Sequence, residues 1–456
     1  MKSKSSQTHT RKAILLDGSP SNDCTGERVS AMLAAELESR GWQVNHFQLS
    51  EQKIGNCAGD FFCWIRTPGI CNVNDDNRTI AEAIAGSDLL VYLTPVTFGG
   101  YSSTLKRMVD HQIQNISPFF TKIEGETHHQ KRYEKYPDFL AVGWLPAPDA
   151  QAEAVFASLV QRNALNFYAQ NASSGVVYAS QPDLVIRTTL KGWLDDIQNG
   201  LPTQKGELPE VKLPGFDSHS EAKGSPAFEI RRALLLVGSP KTRKSTSNSL
   251  GSYLFEQLQA QSIQTETIYL HTVLRSHAKM KALLEAIDST DLVVLAFPLY
   301  VDSLPAPVIE ALERIAAHRQ EQEKTHRQLF AAIANCGFPE ARHNTIALAI
   351  CAKFAQEAGF EWAGSLALGG GQGLVNGMPL SELDGRVTGI KISLEQTAEA
   401  LSQGYPIPDA AQEIIGKPVI PSWLYRLTGI IGWRQQARRY NAQKLLKRKP
   451  YEQPAK

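Results

Sequence analysis

Two stretches of the chain concentrate residues able to do chemistry. The first is GSPKTRKSTSNS, residues 238–249. Here Ser239, Ser245, Thr246, Ser247 and Ser249 supply hydroxyls, with Asn248 among them. Backbone N–H groups where such a loop opens a helix, joined by hydroxyls, suit a phosphate. The loop has neither the Gly-Lys-Ser/Thr of a Walker loop nor a GxGxxG pattern. A plain turn with a serine cap is the simpler alternative, but the density of hydroxyls favours an anion. The second stretch is NCAGDFFCWIRTPGICNVNDD, residues 56–76. It holds Cys57, Cys63 and Cys71, half of the six cysteines. A four-iron cluster needs four thiolates, and the position where a C-x-x-C partner belongs is Asp60. Zinc held by the three cysteines and Asp60 is a second option.

Loops of this kind need a scaffold, and the chain writes one twice. RKAILLDGSPS (11–21) returns as RRALLLVGSPK (231–241). AEAIAGSDLLVYLTPVTFGG (81–100) returns as LEAIDSTDLVVLAFPLYVDS (284–303), and LDDIQNGLP (194–202) as EALSQGYPIP (399–408). The order is the same in both halves, as for a duplicated domain. In the second half, short apolar runs alternate with amphipathic stretches as βαβαβαβαβ. This predicts two tandem α/β domains, each a doubly wound five-stranded parallel sheet. The domains are expected at 11–203 and 230–408. A Pro-, Gly- and charge-rich linker covers 204–229, and a basic C-terminal tail covers 409–456.

The totals agree with this plan. At 456 residues the chain is too long for one core. A net charge of +1 gives no field that would attract nucleic acid. Six scattered cysteines do not form a secreted disulfide framework. No apolar run suits a signal peptide or a transmembrane helix, so the first residues, MKSKSSQTHTRK, read as a flexible tail and the cytoplasm is the expected location.

Ligands of doubly wound sheets sit beyond the carboxyl ends of the strands. The third-strand loops there are PLYVDSLPAP (298–307) and PVTFGGYSS (95–103). The fourth-strand loops are NCGFPEARHN (335–344) and GWLPAPDA (143–150). Aromatics beside tight turns suit a flat ring, with apolar side chains on its face and backbone amides at its edge. The first loop of copy one, GSPSNDCTGERVS, carries fewer hydroxyls, Ser19, Ser21 and Thr25. It adds Glu27, which opposes a phosphate, and Arg28, which offsets it.

With these loops in place, the chain resembles the flavodoxin-like NAD(P)H-dependent FMN reductases, including the iron–sulfur flavoproteins. The matching pieces are GSP plus hydroxyls, SDLLVYLTPVTFGGYSSTLKRMVD, TDLVVLAFPLYVDSLPAPV and NCGFPEA. The resemblance implies that Ser239, Ser245, Ser247 and Ser249, with Asn248, hold the FMN phosphate. Pro298, Leu299, Tyr300, Val301 and Asp302, with Asn335, Gly337 and Phe338, would flank the isoalloxazine. The matching positions in copy one are Ser19, Ser21, Thr25, Pro95, Val96, Thr97, Phe98 and Gly99. The implied reaction is hydride transfer from NAD(P)H to FMN, then electron transfer to a quinone, a flavin or another small acceptor. No side-chain acid, base or nucleophile is nominated as catalytic. The resemblance also implies dimers whose subunits complete each other's sites. A fused pair can do this within one chain, and a homodimer is the other arrangement.

The cysteines fall in an insertion. From Pro20 to Pro95 the spacing is 75 residues, and from Pro240 to Pro298 it is 58. The extra residues follow the strand QVNHFQL, where iron–sulfur flavoproteins carry their cluster cysteines. With Asp60 in place of a thiol, the reading favoured here is a loop without iron–sulfur cluster or other metal, serving as a lid or a subunit contact. A second insertion contains HHQKRYEKYP (128–137). Adjacent histidines point different ways, so a shared metal is not expected, and solvated surface is favoured over contact with a nicotinamide phosphate. The tail from Trp423 to Tyr451 has no acidic residue. It reads as an amphipathic basic segment that packs on its own or a neighbouring subunit, with peripheral membrane contact as the alternative.

Two other functional classes fit the same residues. One is a flavodoxin-like electron carrier for a protein partner. The other is a partly non-catalytic scaffold in which one copy, the first, has lost its flavin.

Overall fold

The computed structural model describes residues 10–200, 229–322 and 326–452. Most of the expected linker, the first nine residues of the N-terminal stretch and the last four residues lie outside them.

Copy one opens with β1 (Lys12–Asp17), α1 (Cys24–Ser39) and β2 (Gln43–Gln48). The insertion follows, containing the single turn α2 (Phe62–Ile65). Next come α3 (Asp76–Ala85), β3 (Leu89–Thr97), β4 (Gly100–Tyr101) and α4 (Ser103–His111). A hairpin of β5 (Ile116–Ile123) and β6 (Glu126–Lys131) precedes β7 (Asp138–Leu145), α5 (Ala150–Asn166), β8 (Ala172–Tyr178) and α6 (Asp183–Gln198). The parallel sheet runs β2-β1-β3-β7-β8, with β4 pairing antiparallel to β3.

Copy two repeats the order without the hairpin. Its elements begin β9 (Arg232–Val237), α7 (Thr246–Ala260), β10 (Gln264–Tyr269), the single turn α8 (Leu270–Val273) and α9 (His277–Asp288). They continue with β11 (Leu292–Pro298), α10 (Ala306–Gln320), β12 (Leu329–Asn335), α11 (Thr345–Glu357) and β13 (Glu361–Leu368). Its sheet runs β10-β9-β11-β12-β13. The expected pair of doubly wound five-stranded domains is therefore present. KAILLD and RALLLV are buried beyond their first residue because helices cover both faces of each sheet. Asp23, Ser102, Asp149 and Ser245 accept backbone N–H bonds at the starts of α1, α4, α5 and α7. Such caps contribute about 1 kcal/mol each.

The chain continues through α12 (Gly371–Leu374), α13 (Thr388–Ser402), α14 (Asp409–Gly416) and α15 (Ser422–Arg438). Ala411 and Ile415 of α14 belong to the core of copy two, and Ser393 donates to Ala411 O at 2.7 Å. This helix thus packs with the second domain rather than with the tail.

The two copies join as a pseudo-symmetric pair. Helix α4 packs on α10 and α5 on α11, the same two helices of each domain. One apolar cluster runs through the joint, and Phe98 of copy one meets Phe354 of copy two edge-on at 5.3 Å. This is the isologous arrangement of a twofold dimer inside a single chain.

Candidate functional site

At the carboxyl edge of the second sheet, two cavities meet. The smaller, about 100 Å³, is lined by Ser239, Lys241, Lys244, Ser245, Thr246, Ser247 and Asn335. The larger, about 590 Å³, is walled by Leu299, Tyr300, Val301, Asp302, Cys336, Gly337 and Phe338 from copy two. Leu299, Tyr300, Cys336, Gly337, Gln372 and Asn376 border both. A Cβ placed on Gly337 would meet nothing within 4 Å, so the backbone there faces open space. Hydroxyls, two lysines and a helix start on one side, with an apolar slot on the other, fit a ligand with a phosphate at one end and a flat ring at the other.

Ser245 caps α7 through Asn248 N at 3.1 Å. Asn335 ties the strand ends together, donating to Ser247 Oγ at 2.9 Å and Phe297 O at 3.0 Å. Two expected phosphate ligands point elsewhere. Ser249 donates to Ser245 O at 3.1 Å, and Asn248 accepts from Tyr269. Neither lines the small cavity.

Copy one completes this cleft. Gly59, Phe61 and Trp64 of the cysteine loop, and Phe120 and His129 of the β5–β6 hairpin, line the larger cavity. Helix α15 crosses over it with Tyr425, Thr428, Gly429, Gly432, Trp433 and Gln436. Trp64 stacks on Phe61 at 5.1 Å and meets Trp433 edge-on at 5.2 Å. Gly429 lets α15 come close, because a Cβ there would lie 2.5 Å from the Phe120 ring. The HHQKR segment expected on the surface is therefore most of strand β6 and the residue after it, with His128 and Arg132 buried and Gln130 and Lys131 exposed. His128 is buried toward Asn166, which it meets at 2.7 Å, while His129 lies 4.6 Å from the Trp64 ring on the cavity side. Alternation along the strand separates the two histidines. Burial, reinforced by the neighbouring His128 charge, holds His129 down at about 3.

Copy one also holds the third-strand loop of copy two in shape. Val301 and Asp302 sit at φ 47° and 56°, a left-handed pair closing a turn in which Tyr300 N and Ser303 O bond at 2.9 Å. A β-branched residue there is strained. Asp302 is buried and held by Arg162 Nε at 3.0 Å and by Asn163 and Asn166. Arg162 also donates to Glu126 at 2.9 Å and to His343 Nδ1 at 2.6 Å. Lys106 and Asp110, both fully buried and paired, grip the same loop through Tyr300 O at 2.8 Å and Ala306 N at 2.9 Å. Burial pulls the Lys106 ammonium down and pushes the Asp110 carboxyl up, and their contact opposes both shifts.

The corresponding positions of copy one lie in a different setting. Asp23 caps α1 with its carboxylate, accepting from Thr25 N at 3.0 Å and Gly26 N at 3.1 Å, where copy two presents hydroxyls. Trp144 donates to Asp23 at 2.9 Å, and its ring lies 3.0 Å from where a Gly26 Cβ would stand. Ser19 is buried against Asp17, which His46 also contacts at 3.2 Å, and Ser21 is exposed. Arg28 is drawn away to Asp183 at 2.8 Å. Pro95, Val96 and Thr97 end β3. Phe98 and Gly99 form the turn into β4, with Phe98 committed to the joint between copies.

The cysteines gather without forming a metal cage. Cys63 is buried, Cys57 lines the larger cavity, and Cys71 lies 3.6 Å from His111 Nδ1. Burial first, then the nearby Asp110 charge, pushes the Cys57 thiol up to about 12. Among the described residues, no group of three or more His, Cys, Asp or Glu is placed to hold a metal ion. The donor set does not fit a cluster, and Asp60 instead accepts Phe62 N at 2.9 Å, shaping the turn.

Sheet order and cleft together define a doubly wound protein whose second half opens into two joined cavities at the carboxyl edge of its sheet. The chain belongs to the NADPH-dependent FMN reductase family. That family's model matches residues 11–125 and 231–360, together more than half of the chain. An iron–sulfur flavoprotein of Archaeoglobus fulgidus is 26% identical over 102 residues, covering 22% of this chain and 46% of that protein, so the match spans about half of the relative's length. Among solved structures, an FMN-dependent NADH-azoreductase from Bacillus anthracis, in complex with FMN, is similar at 13% identity and a TM-score of 0.29. It covers 38% of this chain and 100% of its own. An NAD(P)H:quinone oxidoreductase from Methanothermobacter marburgensis is similar at 13% identity and a TM-score of 0.28, covering 39% and 96%.

Sequence reasoning missed Lys241, Lys244, Gln372 and Asn376 of copy two and the hairpin part of the copy-one wall, whereas the cysteine loop was expected as a lid. The lysines stood inside the quoted loop. The wall comes from insertions that have no counterpart in the second copy, so the repeat offered no guide to it.

Proposed function

We propose that the chain is an FMN-dependent oxidoreductase that draws electrons from NAD(P)H and passes them to a small-molecule acceptor such as a quinone or a flavin. FMN would sit in copy two, and copy one would serve as a flavin-free partner. The observation that carries this reading is the continuity of the anion-suited pocket with the aromatic cavity at the end of the second sheet. Bound FMN would supply the hydride chemistry.

The chain's residues would do the holding. Ser239, Ser245, Thr246 and Ser247, with Lys241 and Lys244, would receive the phosphate. The 298–302 segment and the 336–338 corner would face the ring. Phe61, Trp64, Trp433 and Tyr425 would keep water from it. Tyr425 donates to Gly337 O, so the roof is fastened to one wall. A carrier delivering electrons to a large partner needs its ring edge open to the surface. The cover of α15 and the cysteine loop supports a small-molecule reaction instead. Asp23 and Trp144 support the flavin-free reading of copy one, because a carboxylate occupies the helix start and an indole lies beside it.

The test is to load the purified full chain with FMN, measure bound flavin, and follow its visible absorbance under anaerobic NADH or NADPH, then after a quinone is added. Bleaching by a nicotinamide and recovery with the quinone is expected. A chain that binds FMN but stays oxidised with both nicotinamides would be a carrier, and one that takes up no FMN would be neither.

A further inference from the structure

Helix α15 is apolar on two faces, and only one of them is covered by the protein. The inner face lies over the cavity. The outer face carries Trp423, Leu427 and Ile431 at four-residue spacing, 62%, 50% and 54% exposed. Arg434 and Arg438 continue the same face by helical spacing, and both are exposed. Around this stripe, residues 414–451 contain nine Lys or Arg and no Asp or Glu. Bare tryptophan and aliphatics beside an excess of positive charge are the composition of a helix lying in a lipid headgroup layer.

We propose that the outer face of α15 docks on an anionic membrane surface. Charge selects this occupant over the others. A second copy pairing this stripe with itself across a twofold axis would cover Trp423, Leu427 and Ile431 but leave Arg434 and Arg438 with no acidic residue of the segment to meet. A nucleic acid would satisfy the arginines but leave the apolar stripe in water. An anionic bilayer accepts both, the stripe at the acyl boundary and the arginines at the headgroups. No described helix is long and apolar enough to cross a membrane, so α15 would lie flat. Its inner face would then set the roof of the cavity at the lipid surface, where an apolar acceptor dissolves.

The experiment is co-sedimentation of the FMN-loaded full chain with vesicles of phosphatidylcholine alone and with phosphatidylglycerol added, at low and high salt. Binding to the anionic vesicles, weakened by salt, is expected. Each basic residue near such a surface strengthens partition about fivefold, so Arg434→Gln with Arg438→Gln should weaken it at least tenfold. The triple variant Trp423→Ala, Leu427→Ala, Ile431→Ala should abolish it while keeping flavin content and circular dichroism. Equal binding to neutral vesicles, or binding to neither, would overturn the proposal. So would a dimer in solution that the triple variant converts to monomer, since a second copy would then be the occupant.

Discussion

Trp144 and Asn335 hold the same station in the two sheets. Each pairs across the ladder with the proline near the carboxyl end of the third strand, Trp144 with Pro95 and Asn335 with Pro298. In copy two the asparagine amide reaches Ser247 at the phosphate-suited helix start. In copy one the indole reaches Asp23, a carboxylate on the equivalent helix start. An exchange at two stations, tryptophan for asparagine and a carboxylate cap for a hydroxyl cap, thus distinguishes the two helix starts.

A single FMN per chain follows from that exchange. Asn335→Ala or Ser247→Ala should weaken flavin binding about three- to tenfold, the effect of losing one hydrogen bond. Ser19→Ala should leave flavin content unchanged. Fluorescence titration with FMN checks this, and a second equivalent bound by the wild-type chain, lost on Ser19→Ala, would refute it.

The division of labour between copies also predicts where stability resides. Arg162→Ala removes the cation between Asp302 and Glu126; the buried Asp302 is left without it, while the half-buried Glu126 keeps Arg342. Breaking such a pair from one side costs about 3–5 kcal/mol. The Val301–Asp302 turn would lose its hold at the same time, so flavin affinity should fall together with the urea midpoint. Because the two residues touch, the double variant Arg162→Ala, Asp302→Ala should cost less than the sum of the single changes. Additive costs would show that the contact carries no energy.

Much of this was legible in the chain. The repeated GSP loops and the paired third-strand runs define two sheets, because apolar runs of that length between amphipathic helices admit few other folds. That segments 298–302 and 335–338 end strands and border the two cavities was legible for the same reason. The hairpin was not read, although its alternation and a Glu124–Gly125 turn, at φ 51° and 83°, carry a hairpin signal. Its neighbouring histidines and lysines look solvated until the partner strand is known. The asymmetry of the two sites was also hidden. A tryptophan against an asparagine is one difference among many, until strand register sets both beside a helix start. The tail read as basic and amphipathic, but whether its apolar residues make one face or two depends on what lies beneath them.

Acid should loosen the joint at His129. Burial and the His128 charge hold His129 well below the ordinary histidine value, at about 3. The unfolded chain therefore binds a proton near pH 6.5 that the folded chain refuses. Stability from the neutral ring is fully present above that pH and declines as pH falls toward 3, by at most about 1.4 kcal/mol per pH unit. His129→Phe should flatten the slope of urea stability between neutral and mildly acidic pH. An unchanged slope would mean that His129 takes up its proton in the folded chain.

Close approach of α15 should govern how fast the ligand leaves. Gly429→Leu puts side-chain atoms where the Phe120 ring already stands, since even a Cβ would be 2.5 Å away. The helix must lift locally, and the Tyr425 bond to Gly337 O lifts with it. The sheets that carry the phosphate loop lie elsewhere, so folding of both domains should persist. FMN dissociation in stopped flow should then quicken several-fold, with the association rate less affected, because the roof holds a bound ligand more than it guides a free one. Unchanged release in a folded Gly429→Leu chain would mean that the helix covers the cavity without holding what is inside.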